Sequence, residues 1–200
     1  MADTGSSETR AAAPKDLPIG PGRVVLVVAP SGAGKDAVLT GARAALEGTA
    51  ALVFPDRIIS RPQHASENHH SLSEPEFVAA MNAGRFALNW RAHGLHYGIP
   101  VSIDSAVAEG KTVVFNASRS VVDTARRRYA RTIVVLIDVP ADLRAARLAG
   151  RGREDPSQIS ERLARVVAGF DAETVDAVID NSGPLDLAVS RLVALLTDGA

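Results

Sequence analysis

Apolar residues along this chain fall into short dense runs separated by amphipathic stretches. The run RVVLVVA at 23–29 is almost wholly apolar and β-branched, the pattern of a strand covered on both faces. Runs at 112–116 and 132–139 have the same character, and a shorter one occupies 177–180. Between them, apolar positions recur at helical spacing over 34–47, 101–109, 119–130, 141–149, 158–170 and 185–197. The stretch 52–59 holds strand-like pieces, and 86–90 and 95–97 read as short strands around a turn at His93-Gly94. Ser73 begins a short helix, with Glu76 three residues on completing a capping box. Residues 61–72 are polar, and 150–157 (GRGREDPS) form a charged, glycine-rich loop.

Strands alternating with helices predict an α/β fold built on a parallel sheet of five strands. The chain has 200 residues and no internal repeat, so one domain accounts for its length. Residues 1–21 are small, polar and proline-containing and read as a disordered tail ahead of a domain over 22–200. They lack a basic stretch followed by an apolar one, so they do not read as a secretory signal, and no apolar run is long enough to span a bilayer. A cytoplasmic protein is expected. The absence of cysteine excludes disulfides, thiolate zinc sites and thiol nucleophiles. A net charge of −1 argues against a protein that coats nucleic acid or an anionic membrane. Only three of the 22 basic residues are lysines (Lys15, Lys35 and Lys111), and the 19 arginines supply many planar forks suited to phosphate.

One of those lysines stands where chemistry demands it. The strand at 23–29 runs into Ala29-Pro30-Ser31-Gly32-Ala33-Gly34-Lys35-Asp36 and then a helix, close to the pattern G-x-x-x-x-G-K-[ST]. Gly32 and Gly34 let backbone N–H groups turn inward around a phosphate. The helix N-terminus adds partial positive charge, and Lys35 reaches the outer phosphates. Two positions depart from the pattern: Ala29 replaces the first glycine, and Asp36 replaces the hydroxyl that ordinarily holds Mg²⁺. Strand, spacing, lysine and helix together predict nucleotide phosphate binding by residues 30–36. The five histidines have loop-like spacing and do not form a zinc site. Arg126, Arg127, Arg128 and Arg131 read as a solvated helix face.

Other segments carry a family resemblance. Arg147-Leu-Ala-Gly-Arg151-Gly-Arg153-Glu154, followed by Arg162, resembles the lid of guanylate kinases, as does the closing Asp180-Asn181. Aligned without gaps from Tyr97-Gly98, however, the glutamate that reads guanine becomes Leu88, and the acidic strand end becomes Asn116. The altered pattern is closer to the ribose 1,5-bisphosphate phosphokinases of bacterial phosphonate utilisation. That resemblance rests on the Lys35-Asp36 ending, Arg57-x-x-x-Arg61, Ser66-Glu67-Asn68-His69, the block 87–98 with Trp90, His93 and Tyr97, Asn116-x-Ser118-Arg119, and Arg151-Gly-Arg153-Glu154. It covers essentially 23–197. Ala117, where the family is expected to have glycine, and Ala37, where a hydroxyl is usual, depart from it.

The resemblance implies a P-loop kinase with an acceptor-binding insert at about 57–99 and a lid at about 147–162. Its activity would be transfer of the ATP γ-phosphoryl to ribose 1,5-bisphosphate, giving 5-phosphoribosyl 1-diphosphate (PRPP) and ADP, with Mg²⁺. The nucleophile is then a phosphate oxygen, so catalysis reduces to positioning and charge neutralisation. On this reading Pro30, Ser31, Gly32, Ala33, Gly34, Lys35 and Asp36 hold ATP, with Asn181 near the adenine. Lys35, Arg151 and Arg162 are the catalytic cations, and Arg147 and Arg153 are secondary candidates. Arg57, Arg61, Glu67, His69, His93, Tyr97, Asn116 and Arg119 bind the acceptor, and Asp36 belongs to the Mg²⁺ shell. The partner is a small molecule rather than nucleic acid or membrane, and the protein is a monomer or homodimer. Two other readings stay open at this point: a guanylate or other nucleoside-monophosphate kinase, and a non-catalytic binding module of the same fold.

Overall fold

The strand β1 (Arg23–Val28) is buried at every position because it has a parallel neighbour on each side, β7 (Thr112–Asn116) and β8 (Thr132–Asp138). The computed structural model describes residues 17–61, 71–92, 94–149 and 175–198. Within these, β2 (Leu52–Val53) lies outside β7, and β9 (Ala177–Asp180) lies outside β8. The result is the expected five-stranded, all-parallel sheet in the order β2-β7-β1-β8-β9.

Alternation along β1 assigns its residues to two cores. Val25 and Val27 face the helices α1 (Lys35–Ala45) and α6 (Leu185–Thr197), packing with Val38, Ala42, Leu192 and Leu196. Val24, Leu26 and Val28 face the other way, toward α3 (Ile103–Ala108) and α4 (Val122–Arg128), and toward Leu88, Trp90 and Ile99. The buried Arg23 is satisfied within the fold. Its Nε donates to Thr112 Oγ1 at 3.0 Å, and its Nη2 donates to the Leu196 carbonyl at 2.8 Å near the end of α6. Arg128 and Tyr129 both donate to the Asp104 carboxylate and so tie α4 to α3.

A second sheet stands apart from the first. It has the order β4-β3-β6-β5, with β3 (Ile58–Ser60), β4 (Ser71–Leu72), β5 (Phe86–Ala92) and β6 (Leu95–Pro100). The hairpin β5–β6 pairs Trp90 with Tyr97 and Ala92 with Leu95, and Gly94 in its turn has a φ of 74°. Helix α2 (Glu74–Asn82) begins with the expected capping box, in which Ser73 and Glu76 bond reciprocally. Its Phe77 stacks on Phe86 at 4.5 Å. Gly98 leaves room for the same ring, since a Cβ there would stand 2.6 Å from Phe86 Cδ1.

Several boundaries differ from expectation for physical reasons. The stretch 52–59 divides into β2 and β3, which join different sheets. The strands expected at 86–90 and 95–97 run on to 92 and 100 because the hairpin pairs along its whole length. The helix expected over 119–130 opens with a 3₁₀ turn at Arg119–Val121, capped by Ser118 Oγ accepting from the Ser120 N–H. Of the stretch 1–21 expected to be disordered, residues 17–21 are described. Ile19 exchanges backbone hydrogen bonds with Arg128 and Ala130 at 2.8 Å, beside Tyr129. The helix at 158–170 and the loop at 150–157 lie outside the described residues. No described helix is long and apolar enough to cross a membrane.

Gly22, immediately before β1, is pressed against backbone. A Cβ there would come within 2.3 Å of the Lys111 carbonyl and 2.6 Å of that of Val107. Gly22→Ala is predicted to lower the unfolding free energy by about 2–3 kcal/mol. Gly183→Ala, with nothing within 4 Å, should stay within about 0.5 kcal/mol of the parent. Urea titration of both variants checks this.

Candidate active site

The turn after β1 is shaped by contacts on its rear side. Gly32 and Gly34 have φ of 85° and 81°, a region that favours glycine, and Gly34 caps the N-terminus of α1. Both are also crowded. A Cβ on Gly32 would lie 3.0 Å from the Arg144 carbonyl of α5 (Ala141–Ala149), and one on Gly34 would lie 2.6 Å from Asn181 Nδ2. Asn181, buried after β9, donates from Nδ2 to the Ala33 carbonyl at 2.8 Å, and its own N–H bonds the Asp138 carbonyl at 2.9 Å. Arg147 Nη2 reaches the Asn181 carbonyl at 3.0 Å. The turn is thus braced by the loop after β9 and by α5.

In front of the turn is a cavity of about 320 Å³. The turn after β1, with Lys35 and Asp36, forms one wall; Trp90 and Tyr97 come to it from the second sheet, and Arg57 from just before β3. Asn116, at the end of β7, lies between them. Lys35 Nζ donates to Asn116 Oδ1, and Asn116 Nδ2 donates to Asp36 Oδ1. The direct Lys35–Asp36 separation is 4.0 Å. Burial lowers the Lys35 ammonium to about 8; Asp36 opposes that shift and Arg57 adds to it. Burial also lowers Arg57, with Asp36 and Tyr97 acting upward and Arg61 downward. The Arg57 guanidinium sits 4.8 Å from the centre of the Tyr97 ring, which in turn stacks on Trp90 at 5.5 Å. Among the described residues, Arg57 Nε is buried without a hydrogen-bond partner.

An ammonium and a guanidinium facing one cavity, with a single carboxylate among the described lining residues, suit a polyanion. Among the described residues no group of three or more acidic, histidine or cysteine side chains forms a metal site. Asp36, its side chain 80% exposed, is therefore the carboxylate available to a cation that takes its other ligands from phosphates and water.

Of the residues expected from sequence, Pro30, Ser31, Gly32, Gly34, Lys35, Asp36, Arg57, Tyr97 and Asn116 line this one cavity. Ala33 is buried beneath it. Asn181 does not line it: the amide expected near adenine is engaged behind the turn, because the pairing of β9 with β8 directs it there. Arg61 stands beside Arg57 without lining the cavity, and Arg119 opens the 3₁₀ turn after β7. Glu67, His69, His93, Arg151, Arg153 and Arg162 lie outside the described residues. The cavity is also lined by Ala29, Ala37, Trp90, Ala92, Ala117 and Ser118, which were not among the expected site residues; Ser118 carried a signal in its place just past a strand end that already supplies Asn116.

A glycine-rich turn ending in Lys35 on an all-parallel five-stranded sheet, with a guanidinium reaching the same cavity from beside a smaller sheet, is the arrangement of a P-loop kinase. Its fold is similar to that of guanylate kinase from Anaplasma phagocytophilum, with a TM-score of 0.64 at 15% identity, covering 88% of this chain and 85% of that one. In sequence it is 47% identical over 176 residues to ribose 1,5-bisphosphate phosphokinase PhnN of Methylobacterium radiotolerans, spanning 88% of this chain and 98% of the relative. It is 49% identical over 164 residues to the protein of the same name from Brucella melitensis biotype 2, spanning 81% of this chain and 85% of the relative. The chain belongs to the PhnN family of ribose 1,5-bisphosphate phosphokinases. No family model matches it.

Anionic nucleotide favours charged Lys35, so binding at pH 8 is predicted to take up about half a proton. Calorimetry of ADP binding in two buffers of different ionisation enthalpy reads this uptake, and Lys35→Met should abolish it. Asn181→Ala is predicted to weaken ADP binding about tenfold by releasing the Ala33 carbonyl, without altering the proton uptake.

Proposed function

We propose that this protein transfers the γ-phosphoryl group of ATP to the 1-phosphate of ribose 1,5-bisphosphate, forming 5-phosphoribosyl 1-diphosphate and ADP. The observation that carries the reading is Lys35 and Arg57 facing one cavity from beside two different sheets, in a chain of this family. The parallel sheet supplies the donor side, and the second sheet supplies the acceptor side.

The turn at 30–36 and Lys35 hold the phosphates of ATP. Arg57, with Arg61 beside it, takes the acceptor's phosphates, and the Arg57 Nε left unpartnered by the fold is a donor available to one of them. Tyr97 orients Arg57 through its ring. Asn116 lies at the junction of the two sides, and Asp36 holds Mg²⁺, which supplies charge neutralisation on the donor phosphates. Glu67, His69, His93 and Arg119 complete the acceptor side, and Arg151 and Arg162 meet the transferring group. The attacking atom is an oxygen of a phosphate, which is already nucleophilic, so no general base is required. Among the described residues the cavity is lined by two cationic side chains, Lys35 and Arg57, and by one carboxylate, Asp36.

Guanine recognition is not supported. Leu88, which takes the place of the guanine-reading glutamate, is 1% exposed in the core.

ADP formation with ATP and Mg²⁺ should be rapid with ribose 1,5-bisphosphate and absent with GMP. Turnover with GMP alone contradicts the reading. Arg61→Ala is predicted to raise the acceptor KM about tenfold or more while leaving the ATP KM within about twofold. An equal rise in both would refute the division between donor and acceptor sides.

A further inference from the structure

Among the described residues, Asn116 is the neutral side chain hydrogen-bonded to both charged groups at the head of α1. Its orientation is dictated by them. Lys35 Nζ can only donate, so it must meet Oδ1, and an ionised Asp36 can only accept, so it must meet Nδ2. No other side chain of this size serves both neighbours. An aspartate could accept from Lys35, but it would turn its second oxygen toward the Asp36 carboxylate. An alanine would serve neither.

The amide also leaves the cavity's charge uncancelled. Lys35 meets its nearest carboxylate only at 4.0 Å, and Asp36 is mostly exposed. The Arg57 guanidinium faces the same space, with the Arg61 charge near enough to depress it. Asn116 itself is buried, so a charge placed on it would act on ligands with little screening.

We propose that Asn116 is a specificity-determining and positioning residue: its neutral amide holds Lys35 and Asp36 in register while keeping the cavity cationic enough for an acceptor with two phosphates. The inference rests on the proposed function, and it assigns selection by acceptor charge to a residue on the donor sheet.

The test compares calorimetric affinities for ribose 1,5-bisphosphate and for ribose 1-phosphate, each with ADP present. Asn116→Asp is expected to reduce the preference for the bisphosphate about tenfold, the order expected of one added negative charge in a half-buried pocket. Asn116→Ala removes the same hydrogen bonds without adding charge and should leave that preference within about twofold. The exchange D36N/N116D restores the amide–carboxylate pairing but moves the negative charge from an exposed position to a buried one, so it should keep the preference at least about threefold below the parent value. Equal weakening of both ligands by Asn116→Asp, or a change of preference in Asn116→Ala as large as in Asn116→Asp, overturns the proposal. If Asn116→Asp does not fold, the exchange variant decides: a reduced preference supports the role, and a parental one refutes it. Turnover by the parent protein is read separately. Failure to form product would refute the reading of the function, while the affinity ratios would still decide the role of Asn116.

Discussion

The cavity in front of the turn after β1 has to keep two positive charges close together. Lys35 and Arg57 face one cavity, and burial works against the charged form of both. Several features hold this arrangement in place. The wholly buried β1 fixes where the turn begins. Asn181 and α5 press on the turn from behind, and Asn116 links Lys35 to Asp36 in front. Because the protein supports the unfavourable proximity of like charges, a bound polyphosphate gains from relieving it. That is electrostatic preorganisation in a physical sense: the donors are placed before the ligand arrives.

The two sheets present different surfaces to one cavity. The parallel sheet ends in a helix N-terminus and a lysine, which suit a phosphate chain of any nucleotide. The second sheet faces that site with a different surface, in which a guanidinium lies over Tyr97 and Tyr97 lies on Trp90. Stacking restricts where the guanidinium can go, so its donors converge on one region of the cavity. The hairpin β5–β6 sets this geometry by pairing Trp90 directly with Tyr97. A reaction whose nucleophile is itself a phosphate needs this kind of surface, rich in fixed donors.

Local signals in the sequence were enough where one segment determined its own structure. The run at 23–29 leading into Gly32, Gly34 and Lys35 located both β1 and the turn, because strand, glycines and helix start lie within one short segment. The Ser73–Glu76 capping box was legible for the same reason. The features that escaped depend on partners far along the chain. The two-residue strand β4 falls in a stretch that reads as polar loop, and it pairs with β3, which in turn pairs with β6. Asn181 stood out as a polar residue after a strand. The direction of its amide, however, follows from the register of β9 on β8, and its partner is 148 residues away. Asn116 was legible as a site residue, but its bond to Asp36 spans 80 residues. The first turn of the helix expected from residue 119 is instead 3₁₀, capped by the Ser118 hydroxyl bonding the backbone locally.

Phosphorus NMR of the reaction products tests the central claim most directly, because it reports which atom receives the phosphoryl group. With ATP, Mg²⁺ and ribose 1,5-bisphosphate, the account predicts two mutually coupled diphosphate resonances from carbon 1 of the sugar, alongside those of ADP and an unchanged 5-phosphate. Release of inorganic phosphate alone, or a new uncoupled phosphate ester, would contradict it.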